Sequence, residues 1–182
     1  MDIDWTRALV DQLEFHWTGI LRPRLDGLTD AAYLWEPVPG CWTIRPGADG
    51  GPATIDYEWP EPKPPPVTTI AWRMGHIAIG VFGTRAANHF GAGGVTYEDT
   101  EWPLTAAGGL ALLDHHHDAW IAGVRSLDAA GLARPCGPAD GPYAEEPLAT
   151  LVLHINREAL HHGAELGLLL DLYEHRPSGG PA

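Results

Sequence analysis

Residues 148–173 contain no proline, and apolar residues recur there at helical spacing through Leu151, Ile155, Leu166 and Leu169. A run that long is expected to fold as one helix with a buried stripe, and the stripe needs partner helices to cover it. Three more stretches carry the same period. Trp5, Leu9, Leu13, His16, Trp17, Ile20 and Leu21 mark a first helix over residues 4–25, with Pro23 kinking or ending its last turn. Ile70, Met74, Ile77, Val81 and Phe82 mark a second, from Thr68 or Thr69 to residue 90, closed by Gly91. The third follows Pro103, with Leu104 or Thr105 near its cap, and reaches about residue 127. A short helix is expected at 29–34, capped by Thr29 or Asp30.

Between the first and second helices, residues 36–66 are dense in proline and glycine and include Pro62, Pro64, Pro65 and Pro66. Too few backbone donors remain for a sheet, so this crossover reads as a long ordered loop or a short hairpin. The one trace of strand alternation lies at 53–59. The fold class that follows is all-α: a four-helix bundle with a long Pro/Gly-rich crossover between helices 1 and 2, forming a single domain over residues 1–182 with a frayed tail at 175–182.

Composition narrows the function. A hydrophobic fraction of 45% with eight Trp belongs to a chain that buries a core. The formal charge of −13, with eleven scattered Lys and Arg, argues against nucleic acid and against anionic membranes as partners. Cys41 and Cys136 are too few and too far apart for a zinc knuckle or a disulfide framework, and read as two structural thiols. An acidic N-terminus and the lack of a long apolar run lead us to expect a soluble, cytoplasmic protein. The bias toward Ala, Gly, Pro and Arg, with Lys63 the only lysine, suggests a GC-rich bacterial genome.

The last helix carries the chemistry. In His154-Ile-Asn-Arg-Glu158-Ala-Leu-His161-His162-Gly-Ala-Glu165, residues His154, Glu158 and His162 follow at i, i+4 spacing and share one face. The apolar stripe lies close to the Glu158/His162 direction, so both are expected to face inward. Burying a carboxylate without a partner costs several kcal/mol, on the order of the penalty for any unpaired buried ion, and a cation removes that cost. The second helix supplies His76 from an apolar context, Ala-Trp-Arg-Met-Gly-His-Ile-Ala. His76, Glu158 and His162 form a two-His, one-carboxylate set that suits Zn²⁺, with Ni²⁺, Fe²⁺ or Mn²⁺ as alternatives. The competing reading is a buried ion pair or hydrogen-bonded cluster with His76 a satisfied core histidine.

The run Thr69-Ile-Ala-Trp-Arg-Met-Gly-His76, the segment from Glu158 through His161-His162-Gly-Ala-Glu165, and the four-helix order with its long first crossover resemble the DinB-like superfamily. This superfamily includes mycothiol-dependent maleylpyruvate isomerases and bacillithiol transferases. The resemblance spans nearly the whole chain and implies an up-down-down-up bundle with a divalent metal held by His76, Glu158 and His162. Glutamate stands at the first position of the pair, as in the branch that uses it in place of histidine. Glu165 stands where the pattern often has glutamine. By this resemblance the chain is a metal-dependent, thiol-dependent transferase or isomerase acting on a small electrophile, with mycothiol-type thiol as cosubstrate and a homodimer as its assembly. The alternative is a non-catalytic, stress-related bundle that binds a metal or small molecule. No catalytic base can be assigned.

Other polar residues flank the set. His154 reads as a support for Glu158, and His161 as a contact of that carboxylate or of the pocket wall. Glu165, at i, i+3 from His162, can hold its second ring nitrogen in one tautomer. His16 shares the inward face of the first helix and reads as a core or rim histidine. Arg73 can anchor an anionic substrate or pair with an acid. Trp35, Trp42, Trp72 and Tyr143 are candidate pocket walls. The run His115-His116-His117 turns about 100° per residue and is expected to be largely solvated.

Overall fold

The computed structural model describes residues 3–177 and is mostly helical. Helix α1 (Trp5–His16) runs on through a π-helical stretch, Trp17–Leu21, into a last turn, α2 (Arg22–Arg24), so the three form one rod. The side chain of Asp4 caps α1 by accepting from the Arg7 amide. Pro23 falls inside the final turn, and the rod stops there, as its missing N–H dictates. The short helix α3 (Asp30–Tyr33) follows, with Thr29 as its cap. A second rod joins α4 (Ile70–Gly75), a π-helical stretch His76–Gly83, and α5 (Thr84–Phe90), capped by Thr69 and ended at Gly91. Helix α6 (Ala106–Arg125) is capped by Thr105, and α8 (Leu148–Glu174) follows Pro147.

Between α6 and α8 lie two elements that periodicity does not reveal: α7 (Ala129–Ala133), capped by Asp128, and a 3₁₀ segment, Pro138–Tyr143. Both are too short to carry a helical stripe. The expected frayed tail falls, from residue 178 on, outside the described residues.

The crossover holds a two-stranded antiparallel sheet, β1 (Ile44–Arg45) with β2 (Thr54–Ile55), in register Ile44 with Ile55. It is tied to the second rod rather than laid loosely over it. The Trp42 amide donates to the Val67 carbonyl at 2.9 Å, and the Thr69 amide donates to the Trp42 carbonyl at 2.9 Å. Trp72 Nε1 donates to the Asp56 carbonyl at 2.7 Å. These bonds place the crossover directly beside the first turn of α4.

Leu9, Leu13, Trp17 and Leu21 are buried against α8 and α6, whereas Trp5 and Ile20, assigned by period to the same stripe, are exposed. One contiguous core includes Met74, Ile77, Phe82, Leu113, Trp120, Val152, Ile155 and Leu166. Asn156, 1% exposed, crosses from α8 to α1 by donating from Nδ2 to the Leu9 carbonyl at 2.9 Å and to Gln12 Oε1 at 3.0 Å. Among the described residues no helix is long and apolar enough to cross a membrane. Cys41 and Cys136 are both buried free thiols.

Candidate metal centre

His76 opens the π-helical stretch of the second rod, and His162 faces it from α8. Their Nε2 atoms lie 3.2 Å apart with the two rings nearly perpendicular. Glu158, one turn before His162, places Oε2 at 3.6 Å from His162 Nε2. That second separation is longer than a hydrogen bond. The other oxygen, Oε1, is held outward by Arg157 Nε at 3.3 Å and by His154 Nδ1 at 3.4 Å. The carboxylate is thus pinned on one side and left with a free oxygen on the side of the histidines.

The far nitrogens of both rings have partners. His162 Nδ1 is 2.7 Å from Glu165 Oε2, and Arg73 Nη1 stands 3.2 Å from the same nitrogen. A carboxylate accepts only, and this is the shorter, charge-assisted contact, so Nδ1 carries the proton and Nε2 presents its lone pair inward. Arg73 Nε is 2.9 Å from Glu165 Oε2, and its guanidinium lies over the Trp72 ring at 5.1 Å. Arg73 therefore neutralises Glu165 and is spent within the cluster. His76 Nδ1 meets the Tyr97 hydroxyl at 2.9 Å. Gly80 makes this contact possible, since a Cβ there would stand 2.7 Å from the Tyr97 oxygen and 3.2 Å from His76 Nδ1.

Electrostatics keep these rings neutral. Burial, then the neighbouring His162 and Arg73, pushes His76 down to about 3. His162 is also lowered, by burial first, against the opposing pull of the Glu165 hydrogen bond. Neutral imidazole is the form that ligates a cation. The distances fit the same chemistry. Metal–nitrogen bonds of about 2.0–2.1 Å span the 3.2 Å between the two Nε2 atoms, and the free Glu158 oxygen stands 3.6 Å from the His162 nitrogen. A His–His hydrogen bond explains the first separation only if His76 carries its proton on Nε2, and it leaves Glu158 Oε2 unexplained.

A second group of ligand-type side chains sits on the outer side of the same histidine. His161, His162 and Glu165 each place one donor atom within 4.8 Å of the others and could hold a metal ion. His161 is the exposed member, with a side chain 64% accessible, and its Nε2 is 3.6 Å from Glu165 Oε1. On this side Glu165 is already engaged by Arg73 and by His162 Nδ1. His162 is thus shared between an inner set with His76 and Glu158 and an outer one with His161 and Glu165.

The remaining candidates divide. His154 is 41% exposed at its side chain and touches the centre only through Glu158. His16 packs beside Gly163, where an added Cβ would stand 3.0 Å from its Cε1. Its buried Nδ1 has no hydrogen-bond partner, and burial lowers its pKa. The solvated reading of the histidine run fails at His117, which is 3% exposed, stacks on Trp17 at 4.0 Å and places Nε2 3.1 Å from Glu14 Oε1. Its helical phase points at α1, where Glu14 stands beside Nε2, while Nδ1 is hydrogen-bonded to Asp118 at 3.1 Å. Trp42 and Trp72 line a cavity of about 790 Å³ that reaches His76. Trp35 packs instead on Tyr173 and Tyr143 is exposed, so neither borders that cavity. Another cavity, about 940 Å³, lies between α1 and α7 and contains no histidine. Sequence reasoning missed Tyr97 and Trp102, which come from a loop without periodicity and meet the site only in three dimensions.

A mostly helical chain in which facing rods bring histidines and carboxylates into one cluster belongs to the class of helical proteins with a candidate metal centre. The family model of the DinB superfamily matches residues 52–166, more than half of the chain, and the protein belongs to that superfamily, which includes metal-binding enzymes. The match takes in His76, Glu158, His162 and Glu165 and leaves α1, with His16, outside. No curated protein and no solved structure matches the chain.

Proposed function

We propose that the protein is a divalent-metal-dependent enzyme with His76, Glu158 and His162 as ligands, acting as a thiol-dependent transferase or isomerase on a small electrophile. On this reading the four long helical rods form the up-down-down-up bundle, and residues 1–182 form one domain. The observation that carries the proposal is the facing pair of imidazole Nε2 atoms, 3.2 Å apart, with a carboxylate oxygen standing unbonded 3.6 Å from one of them. Zn²⁺ suits that donor set best. When bound, the cation would lower the pKa of a low-molecular-weight thiol and supply it as thiolate. The chain's own residues do the positioning. Glu165 and Tyr97 fix the two rings, Arg157 turns Glu158, and Arg73 balances the charge of Glu165.

Metal analysis of purified protein tests the proposal. The wild type is expected to carry about one equivalent of metal, and His162→Ala to lose it. His76→Ala and His161→Ala separate the two donor sets: loss with His76→Ala and retention with His161→Ala is expected. The reverse pattern would move the ion to the outer group, and unchanged metal in His162→Ala would remove the centre altogether.

A further inference from the structure

The cavity beside His76 has a wall of a particular kind. Five aromatic rings follow one another around it: Trp102 and Tyr97 at 5.5 Å, Tyr97 and Tyr57 at 6.1 Å, Tyr57 and Trp42 at 6.4 Å, and Trp42 and Trp72 at 5.6 Å. Trp72 then stacks on His76 at 5.3 Å. The four aromatic pairs are tilted by 39–50°, so the rings do not consume one another's faces by stacking, and among the described residues only Trp72 is engaged at its ring, by His76 and Arg73. Three of their polar ends are committed elsewhere. Trp72 Nε1 donates to the Asp56 carbonyl, Trp102 Nε1 to the Tyr97 carbonyl, and the Tyr97 hydroxyl is bonded to His76.

The charged groups on the lining are all acidic: Glu58, Glu61 and Glu98, with no lysine or arginine among them. The nearest guanidiniums are spent. Arg73 is paired with Glu165, and Arg45 is held by Asp56 at 2.9 Å and faces Glu36 at 3.6 Å. Lys63 is exposed and does not line the cavity.

π-faces and carboxylates without a competing cation attract a positive ligand whose substituents are apolar, and they repel an anion. We infer that this cavity selects an organic cation of the alkylated ammonium type, presented beside His76. The inference names a substrate class for the centre proposed above and rests on that reading for turnover, but cation binding itself requires no metal. It also removes an anionic substrate anchored by Arg73, whose guanidinium is engaged within the histidine cluster.

Titration calorimetry on the full chain tests it, with three probes of similar shape: benzyltrimethylammonium, its uncharged isostere neopentylbenzene, and the anion phenylacetate. The cation is expected to bind about tenfold more tightly than the isostere, the range of a desolvated cation–π contact, and phenylacetate not measurably. Replacing Glu58, Glu61 and Glu98 together by glutamine should reduce the cation's advantage several-fold with the circular dichroism spectrum unchanged. An isostere or anion that binds as tightly as the cation overturns the inference, as does a cation that fails to bind. Running the titrations on chelator-treated and metal-loaded protein keeps the two readings apart. Cation preference in a protein that takes up no metal defeats the metal centre alone. Stoichiometric metal without cation preference defeats this inference alone.

Discussion

Acidification should destabilise the metal-free protein through His76 by an amount that follows from its burial. The ring titrates near 6.5 when exposed in the unfolded chain and near 3 in the fold. Between those values the unfolded state binds the extra proton, so stability rises with pH and is lost as pH falls below about 6.5. At pH 5 an unfolded histidine is almost wholly protonated and His76 is not. Linkage then gives a loss of about 2 kcal/mol between pH 7 and pH 5, at 1.36 kcal/mol per unit. The figure is fixed mainly by the unfolded-state value, since pH 5 lies well above 3. Urea denaturation of chelator-treated wild type and His76→Gln at both pH values isolates the term, because the other titrating groups are common to both chains. The wild type is expected to lose about 2 kcal/mol more than the variant on acidification. An equal loss in the two proteins would show that His76 is solvated in the fold, and the neutral-ligand argument would fall with it.

Glu165→Gln removes the carboxylate that orients His162 while keeping an acceptor in place; metal affinity measured by competition with a chelator is expected to fall by about 10–100-fold with stoichiometry retained. Asn156→Ala deletes the buried bridge from α8 to α1 and should cost about 1–3 kcal/mol in urea denaturation without lowering metal content. Gly123→Ala would set a Cβ 2.1 Å from Phe90 Cδ2 in the α5–α6 contact, and overpacking there should cost about 1–3 kcal/mol, read as a lower melting temperature.

The sequence by itself determined the four long helical rods and most of their ends, because apolar period, Pro and capping residues are local signals. Thr69, Thr105 and Pro147 stand at the starts they were expected to mark, and Gly91 at a stop. The i, i+4 spacing of Glu158 and His162 was equally legible, since α8 alone puts them on one face. What the local code could not carry was anything dependent on a second element. That His76 Nε2 meets His162 Nε2 is a property of how the second rod packs on α8, not of either helix. That Glu165 Oε2 lies against both the His162 ring and Arg73 depends on the same packing. His117 looks like a surface residue in its run of three until α1 brings Trp17 and Glu14 against it. Tyr97 and the aromatic wall come from loops without period, and only the bonds that tie the crossover to α4 bring them to the site. Periodicity assigns a residue to a face of its own helix, but which atoms face it across the core is decided by long-range packing.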